Sequence, residues 1–138
     1  MKPPLAEALD LEPHPEGGWY RQTWVSPATV ALPDGRTRSA ATLIYFLLPA
    51  GEASAWHRVA SDEVWLAHTG VVTLVLGGSG ASPAAVEHCE QRSVGGAGEA
   101  QVLVPAGCWQ RTLATDEDAL VSCLVSPGFD FEDFELAT

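Results

Sequence analysis

His57 and Glu63 are the two side chains whose types and spacing could carry acid–base chemistry. Side chains alternate between the two faces of a strand, so His57 and Val59 would share one face. A tight turn through residues 60–62 could then return Glu63 beside them on the next strand. A carboxylate beside an imidazole raises the pKa of the imidazole and orients its tautomer. The spacing predicts a general base poised near neutral pH, and a purely structural pair is the alternative.

Proton transfer at a carbon next to a carbonyl needs an opposing acid as well as a base. Tyr20 and Tyr45 are the only tyrosines, so either is a candidate acid, and each could instead be a core or rim residue. Arg21 could reach a phosphate or carboxylate of a ligand. Strand parity places Trp65 on the same face as Glu63, where its ring could stack on a ligand or fill the core.

The other three histidines are interpreted as lying outside such a site. His14 is in a proline-bracketed loop and His88 is in a long variable segment, so both are predicted to face solvent. His68 has the opposite parity to Glu63 on the same strand and is predicted to point outward.

Many short strands would have to position these residues. The segment 42–48 is a nearly continuous apolar run and predicts a central strand that is buried on both faces. Runs rich in aromatic and β-branched residues, bounded by Gly, Pro or Asp, predict further strands over 19–25, 54–59, 63–68, 71–76, 101–104, 108–113 and 120–126. This spacing is typical of a sandwich or a barrel.

The remaining segments are predicted to be peripheral. Residues 3–9 could form one or two helical turns, and residues 26–39 and 77–100 are predicted loops. The second loop is long for a compact domain, so we expect an extra pair of strands near residues 85–92. Apolar and acidic residues alternate over 129–136, which predicts an edge strand.

Two glycine-bounded segments resemble the motifs of the cupin superfamily. Residues 51–70 are similar to G-x5-H-x-H-x3,4-E-x6-G, with His57 and Glu63 in place and Val59 where the second histidine belongs. Residues 105–110 are similar to the P-x-G-x2-H portion of the second motif, with Gln110 where the histidine belongs. Gln110 therefore joins His57 and Glu63 as a residue that the resemblance places at the site.

Four runs in order resemble cupin family 5, formerly a domain of unknown function. They are PHPEGGWY at 13–20, SAWHRVASDEVW at 54–65, VPAGCWQ at 104–110 and VSPGFDFEDFE at 125–135. The resemblance implies an all-β, double-stranded β-helix, the cupin jelly-roll barrel, as a single domain over residues 1–138 with a short N-terminal helical segment. It also implies a homodimer, and its closest functional analogues are the dTDP-sugar 3,5-epimerases. Ser54, within the second run, is a further ligand-binding candidate.

A complete cupin ligand set holds a divalent metal with two or three imidazoles and a carboxylate. The set here would be His57, Glu63 and Gln110, and an amide oxygen is a weak ligand for zinc or iron. We therefore predict no required cofactor and keep a divalent metal as an alternative. Without metal, Gln110 could serve as donor and acceptor for a polar ligand.

The resulting hypothesis is a barrel that binds a small polar metabolite, such as a keto-sugar or nucleotide sugar, and acts as a metal-independent epimerase or isomerase. His57 would be the base, Glu63 would orient it and a tyrosine would be the acid. A non-catalytic sensor or carrier, and a metal-dependent oxygenase or isomerase, are the alternatives.

Composition narrows the partners and the location. The net charge of −11 and the single lysine leave no basic patch, so we expect neither a nucleic-acid nor a membrane partner. The three cysteines are an odd number without C-x-x-C spacing, which favours reduced thiols and a cytoplasmic protein.

Overall fold

The computed structural model describes all 138 residues, which form mainly strands. One helix, α1 (Pro4–Ala8), precedes β1 (Glu12–Pro13), β2 (Trp19–Val25), β3 (Thr29–Ala31), β4 (Thr37–Ser39), β5 (Thr42–Leu48), β6 (His57–Val59), β7 (Asp62–Thr69), β8 (Val72–Leu76), β9 (Glu90–Val94), β10 (Gln101–Val104), β11 (Gln110–Thr112), β12 (Ala119–Ser126) and β13 (Phe134–Leu136). Short 3-10 turns occupy Val86–His88 and Phe131–Asp133. No helix has the length and apolar character required to cross a membrane.

Two antiparallel sheets enclose the core. The larger has the strand order β1-β2-β5-β12-β7-β10, and the smaller has the order β13-β6-β11-β8-β9. Buried side chains of both sheets form one cluster between them, including Phe46, Trp65, Leu74, Val102 and Val121. This arrangement confirms the predicted all-β jelly-roll barrel with a short N-terminal helix.

Strand β5 is central because both of its faces are covered. Phe46 and Leu48 belong to the core between the sheets. Leu47, of the opposite parity, packs against Ala6 and Leu11 beneath α1, where Tyr45 also packs. The continuous apolar run follows from this double burial.

Three peripheral segments differ from the expectations. Residues 26–39 contain the β3–β4 hairpin rather than only a loop. In the 77–100 segment, β9 pairs with β8 instead of forming a hairpin of its own, because β8 offers it a free edge. In the tail, Asp130 caps a 3-10 turn by accepting from the Glu132 N–H at 2.8 Å, so only 134–136 form the predicted edge strand.

Candidate functional site

A cavity of about 330 Å³ opens at one end of the barrel. This volume lies at the small end of the range found for ligand pockets, roughly 300–1,000 Å³. Its apolar wall includes Ile44, Val59 and Val125 and three phenylalanines of the tail. Its ionisable side chains are His14, Glu16, Tyr20, His57, Glu63 and Asp130.

The carboxylate that contacts His57 is Glu16. Oε2 of Glu16 lies 2.6 Å from Nε2 of His57, and both side chains are more than nine-tenths buried. Nδ1 of His57 lies 2.8 Å from the carbonyl oxygen of Ala55, which can only accept, so Nδ1 carries a proton. One further proton must reside on Nε2 or Oε2, because two lone pairs at this separation would repel each other.

Electrostatics favour placing that proton on the imidazole. Burial by itself lowers the pKa of His57, but the Glu16 carboxylate outweighs it and the pKa rises to about 9. The pair is therefore an imidazolium and a carboxylate near neutral pH. Glu16 Oε2 is buried against His57, and the Glu16 side chain also lines the cavity.

Glu63 is held by a different neighbour. Gln110 Nε2 donates to Glu63 Oε1 at 2.7 Å, and Gln110 Oε1 accepts from Trp65 Nε1 at 2.9 Å. Burial raises the pKa of Glu63, although the nearby charge of His57 opposes the rise. Gln110 is fully buried and does not line the cavity. It fixes Glu63 and Trp65 in place.

Local backbone geometry brings Glu16 over the barrel. Gly17 and Gly18 follow it with φ of +103° and +78°, values that glycine adopts without strain. A Cβ on Gly17 would lie 2.8 Å from the carbonyl oxygen of Ala53, so the loop approaches that backbone closely. The Ala55 N–H donates to the Glu16 carbonyl at 2.7 Å. These contacts tie the loop to the segment that precedes His57.

His14 is buried in the same loop, and its predicted exposure to solvent is wrong. Its Nδ1 accepts from the Glu16 N–H at 3.1 Å, which leaves Nε2 to carry the proton of the neutral ring. Its ring packs against Tyr20 with centroids 4.6 Å apart. Burial lowers the pKa of His14, against the opposing effect of Glu16. The prolines that suggested an exposed turn instead shape a loop that folds inward.

The C-terminal tail closes one side of the cavity with Phe129, Phe131 and Phe134. The β3–β4 hairpin holds this tail, since Arg38 Nε donates to Asp133 Oδ2 at 2.9 Å and Arg36 Nη1 donates to Asp133 Oδ1 at 3.0 Å. The tail is therefore part of the site, and three of its four acidic residues, Glu132, Asp133 and Glu135, form ion pairs.

Only some of the residues proposed from the sequence lie on the cavity. His57, Glu63 and Tyr20 line it. Tyr45 lies on the other face of β5, near the His68 ring, so of the two tyrosines only Tyr20 is placed to act as an acid. Trp65 is buried in the core beyond the cavity.

Two further candidates make structural contacts. Arg21 is exposed and its Nε donates to the Leu9 carbonyl at 2.8 Å. Ser54 is buried, and it exchanges hydrogen bonds with Thr112 through the backbone N–H and the side-chain oxygen of each residue. Neither residue lines the cavity.

Sequence reasoning missed Glu16, His14 and the phenylalanine wall. Glu16 and His14 are in the 13–20 run and the phenylalanines are in the 125–135 run, both of which carried the family resemblance. A carboxylate between a proline and two glycines was the available signal, because such a loop has a fixed and unusual path.

The residues of the suggested metal set do not fit a metal ion. The oxygen of Gln110 accepts from Trp65 and its nitrogen faces Glu63, so the amide presents no free ligand atom. Nε2 of His57, the ring nitrogen that is not bound to Ala55, faces Glu16. No group of three or more His, Cys, Asp or Glu side chains has the arrangement of a metal site.

Comparison with known proteins agrees with this architecture. The family described as "Cupin superfamily (DUF985)" matches residues 4–137. A hypothetical protein from Leishmania major is 33% identical, with a TM-score of 0.84 over 96% of this chain and 85% of that chain. A protein of known crystal structure from Shewanella oneidensis is 35% identical, with a TM-score of 0.81 over 97% of this chain and 82% of that chain.

A structure with lower sequence identity shares the same barrel fold. A Cupin 2 conserved barrel domain protein from Salinispora arenicola is 20% identical, with a TM-score of 0.58 over 87% of this chain and 83% of that chain, which shows the fold alone. No curated protein matches the sequence.

Proposed function

The chain belongs to the cupin superfamily, in the DUF985 family, and on that premise we propose that its barrel cavity binds a small polar metabolite and exchanges a proton with it without a metal. The observation that carries this proposal is the buried Glu16–His57 pair on the cavity wall. A buried charged pair is costly to maintain for stability alone. Glu16 also lines the cavity, which supports a role in ligand binding.

The Glu16–His57 pair would supply the base, and Tyr20 would supply the acid. The Glu16 carboxylate would accept a proton from a carbon next to a carbonyl of the ligand. His57, positioned by its hydrogen bond to the Ala55 carbonyl, would orient that carboxylate through Oε2. Tyr20 would return a proton to that carbon. This is the chemistry of an epimerase or isomerase acting on a keto-sugar, with Glu16 in the role that the sequence assigned to His57.

Native mass spectrometry of protein purified without an affinity tag tests the binding. We expect a co-purifying molecule of small mass. Val125→Trp, which would fill the cavity, should abolish the bound mass, and Leu103→Trp, at an exposed position outside the cavity, should retain it. A bound mass that persists in both variants would place the ligand elsewhere.

Deuterium exchange then distinguishes catalysis from ligand binding without catalysis. An enzyme incubated with its ligand in D₂O would replace the carbon-bound hydrogen, and Glu16→Gln would stop the exchange even at a ligand concentration that saturates the variant. A sensor or carrier, the second candidate, would bind through the same cavity with no exchange at any carbon.

Other expectations from the sequence remain predictions. These are homodimerisation, a cytoplasmic location and a single domain over residues 1–138.

A further inference from the structure

The charges around the cavity limit the kind of ligand it can hold. None of the seven Lys and Arg residues lines it. The two arginines of the β3–β4 hairpin, Arg36 and Arg38, are bound to Glu132 and Asp133 of the tail. A phosphate or carboxylate entering the cavity would therefore find no free guanidinium or ammonium partner.

The histidines do not supply the missing positive charge. The Glu16–His57 pair shares one proton beyond that on Nδ1, so its net charge is zero whichever atom holds that proton. His14 has a lowered pKa because of burial and is neutral. The remaining acidic side chains are Glu63, whose pKa is raised by burial, and the exposed Asp130, so neither adds positive charge.

The uncharged wall is also suited to a cation. Phe129, Phe131 and Phe134 line one side, with Tyr20 beside them. The faces of aromatic rings carry partial negative charge and attract ammonium groups. The Glu16 carboxylate, which also lines the cavity, offers such a group a charged acceptor.

We propose that the ligand of this cavity is a compact organic cation, an amine-bearing metabolite whose ammonium group meets Glu16 and the aromatic wall. This rests on the proposed function and narrows it, since it directs the site away from nucleotide sugars and towards amino sugars and other small amines. The protein, with a net charge of −11, would also attract such ligands from solution.

Two sets of probes hold shape constant while charge changes. The first set is cyclohexylamine, cyclohexanol and cyclohexanecarboxylate, and the second is glucosamine, glucose and glucuronate. Thermal unfolding with each probe reports binding, because a ligand of the native state raises Tm. We expect at least one amine to raise Tm and its carboxylate counterpart to leave Tm unchanged.

A surface variant separates charge from shape. Asp130 is exposed on the cavity wall, so Asp130→Asn removes one acidic group without disturbing the core. Isothermal titration calorimetry should show amine affinity falling by about two- to fivefold, the size expected for one exposed charge, and alcohol affinity unchanged. Asp118→Asn, at another exposed loop aspartate, is the matched control and should leave the amine affinity as it is.

Two outcomes overturn the inference. One is a carboxylate probe that stabilises the protein as much as its amine counterpart, and the other is the failure of both amines to bind. In either case the proposed function is judged separately by the co-purifying mass and its loss in Val125→Trp. An anionic ligand found in the cavity would support the proposed metabolite-binding function and contradict the inference that the ligand is a cation.

Discussion

Glu16, in the loop before β2, contacts Nε2 of His57 at 2.6 Å, whereas Glu63 makes its hydrogen bond with Gln110 instead. The acid–base pair therefore joins a loop near the N-terminus to a strand of the smaller sheet. Glu63, on β7 of the larger sheet, contributes only a longer-range electrostatic effect to His57.

Replacing Glu16 should reverse the direction of the pKa shift of His57. The carboxylate raises the pKa to about 9 against the opposing effect of burial. In Glu16→Gln only burial and weaker contacts remain, so we expect the pKa to fall below its ordinary value of about 6.5. A titration followed by NMR of the imidazole protons measures it. Glu87→Gln, at an exposed position, should leave the titration unchanged, and an unshifted His57 in Glu16→Gln would refute the pairing.

Stability should decrease as pH rises from about 7 to 9. A histidine whose pKa is about 9 when folded and about 6.5 when unfolded contributes stability that is complete below 6.5 and is lost as pH passes through 9. The contribution is at most roughly 3 kcal/mol. His14, with its lowered pKa, acts in the opposite direction but only at lower pH. Urea unfolding across this range should show the decrease in the parent and a flatter profile in Glu16→Gln.

The strands were predictable where one physical signal dominated. The bounds of β2, β5 and β10 match the prediction because their aromatic, β-branched or apolar runs end at strong turn residues. The predicted strand over 54–59 begins only at residue 57. The N–H of Ser54 is used by the side chain of Thr112 rather than by a neighbouring strand, a contact that local patterns do not contain.

The site was less predictable because its key contact links distant parts of the chain. Strand parity located His57 and Glu63 on the cavity, but it carries no information on where a loop will return. The proline and glycine residues around Glu16 signalled only an irregular path. That this path ends above His57 depends on the close approach to Ala53 and on the hydrogen bond from Ala55.

The path of that loop can be tested at Gly17. Gly17→Ala would place a Cβ at a φ of +103° and 2.8 Å from the Ala53 carbonyl oxygen. Both strain and collision oppose it, so we expect a loss of about 1–3 kcal/mol of stability and a changed His57 titration. Gly35→Ala is the control, since Gly35 also has a positive φ but has nothing within 4 Å of the added Cβ. Equal losses in the two variants would mean that the contact with Ala53 is unimportant.

The attachment of the tail can be tested at Arg38. Its guanidinium and the Asp133 carboxylate are both about nine-tenths buried as side chains, in contrast to the exposed Arg92–Glu99 pair. In Arg38→Met, hydrogen exchange at the amides of β13 should accelerate, because the tail loses its link to the β3–β4 hairpin. Arg92→Met should leave those amides unchanged. Equal exchange in the parent and in Arg38→Met would show that the phenylalanine wall is held by its own packing.

Gln110 should prove to be a structural residue whose loss is measured as stability. It is completely buried and satisfies Glu63 and Trp65 at once. In Gln110→Met, Glu63 Oε1 and Trp65 Nε1 both lose their hydrogen-bond partner inside the core. This loss lowers the free energy of unfolding by about 2–4 kcal/mol. Gln91→Met, at an exposed position on β9, should change that free energy by less than about 0.5 kcal/mol. If Gln110→Met keeps its stability but loses the co-purifying ligand, the amide holds the ligand directly, and the cavity must extend past Glu63 to reach it.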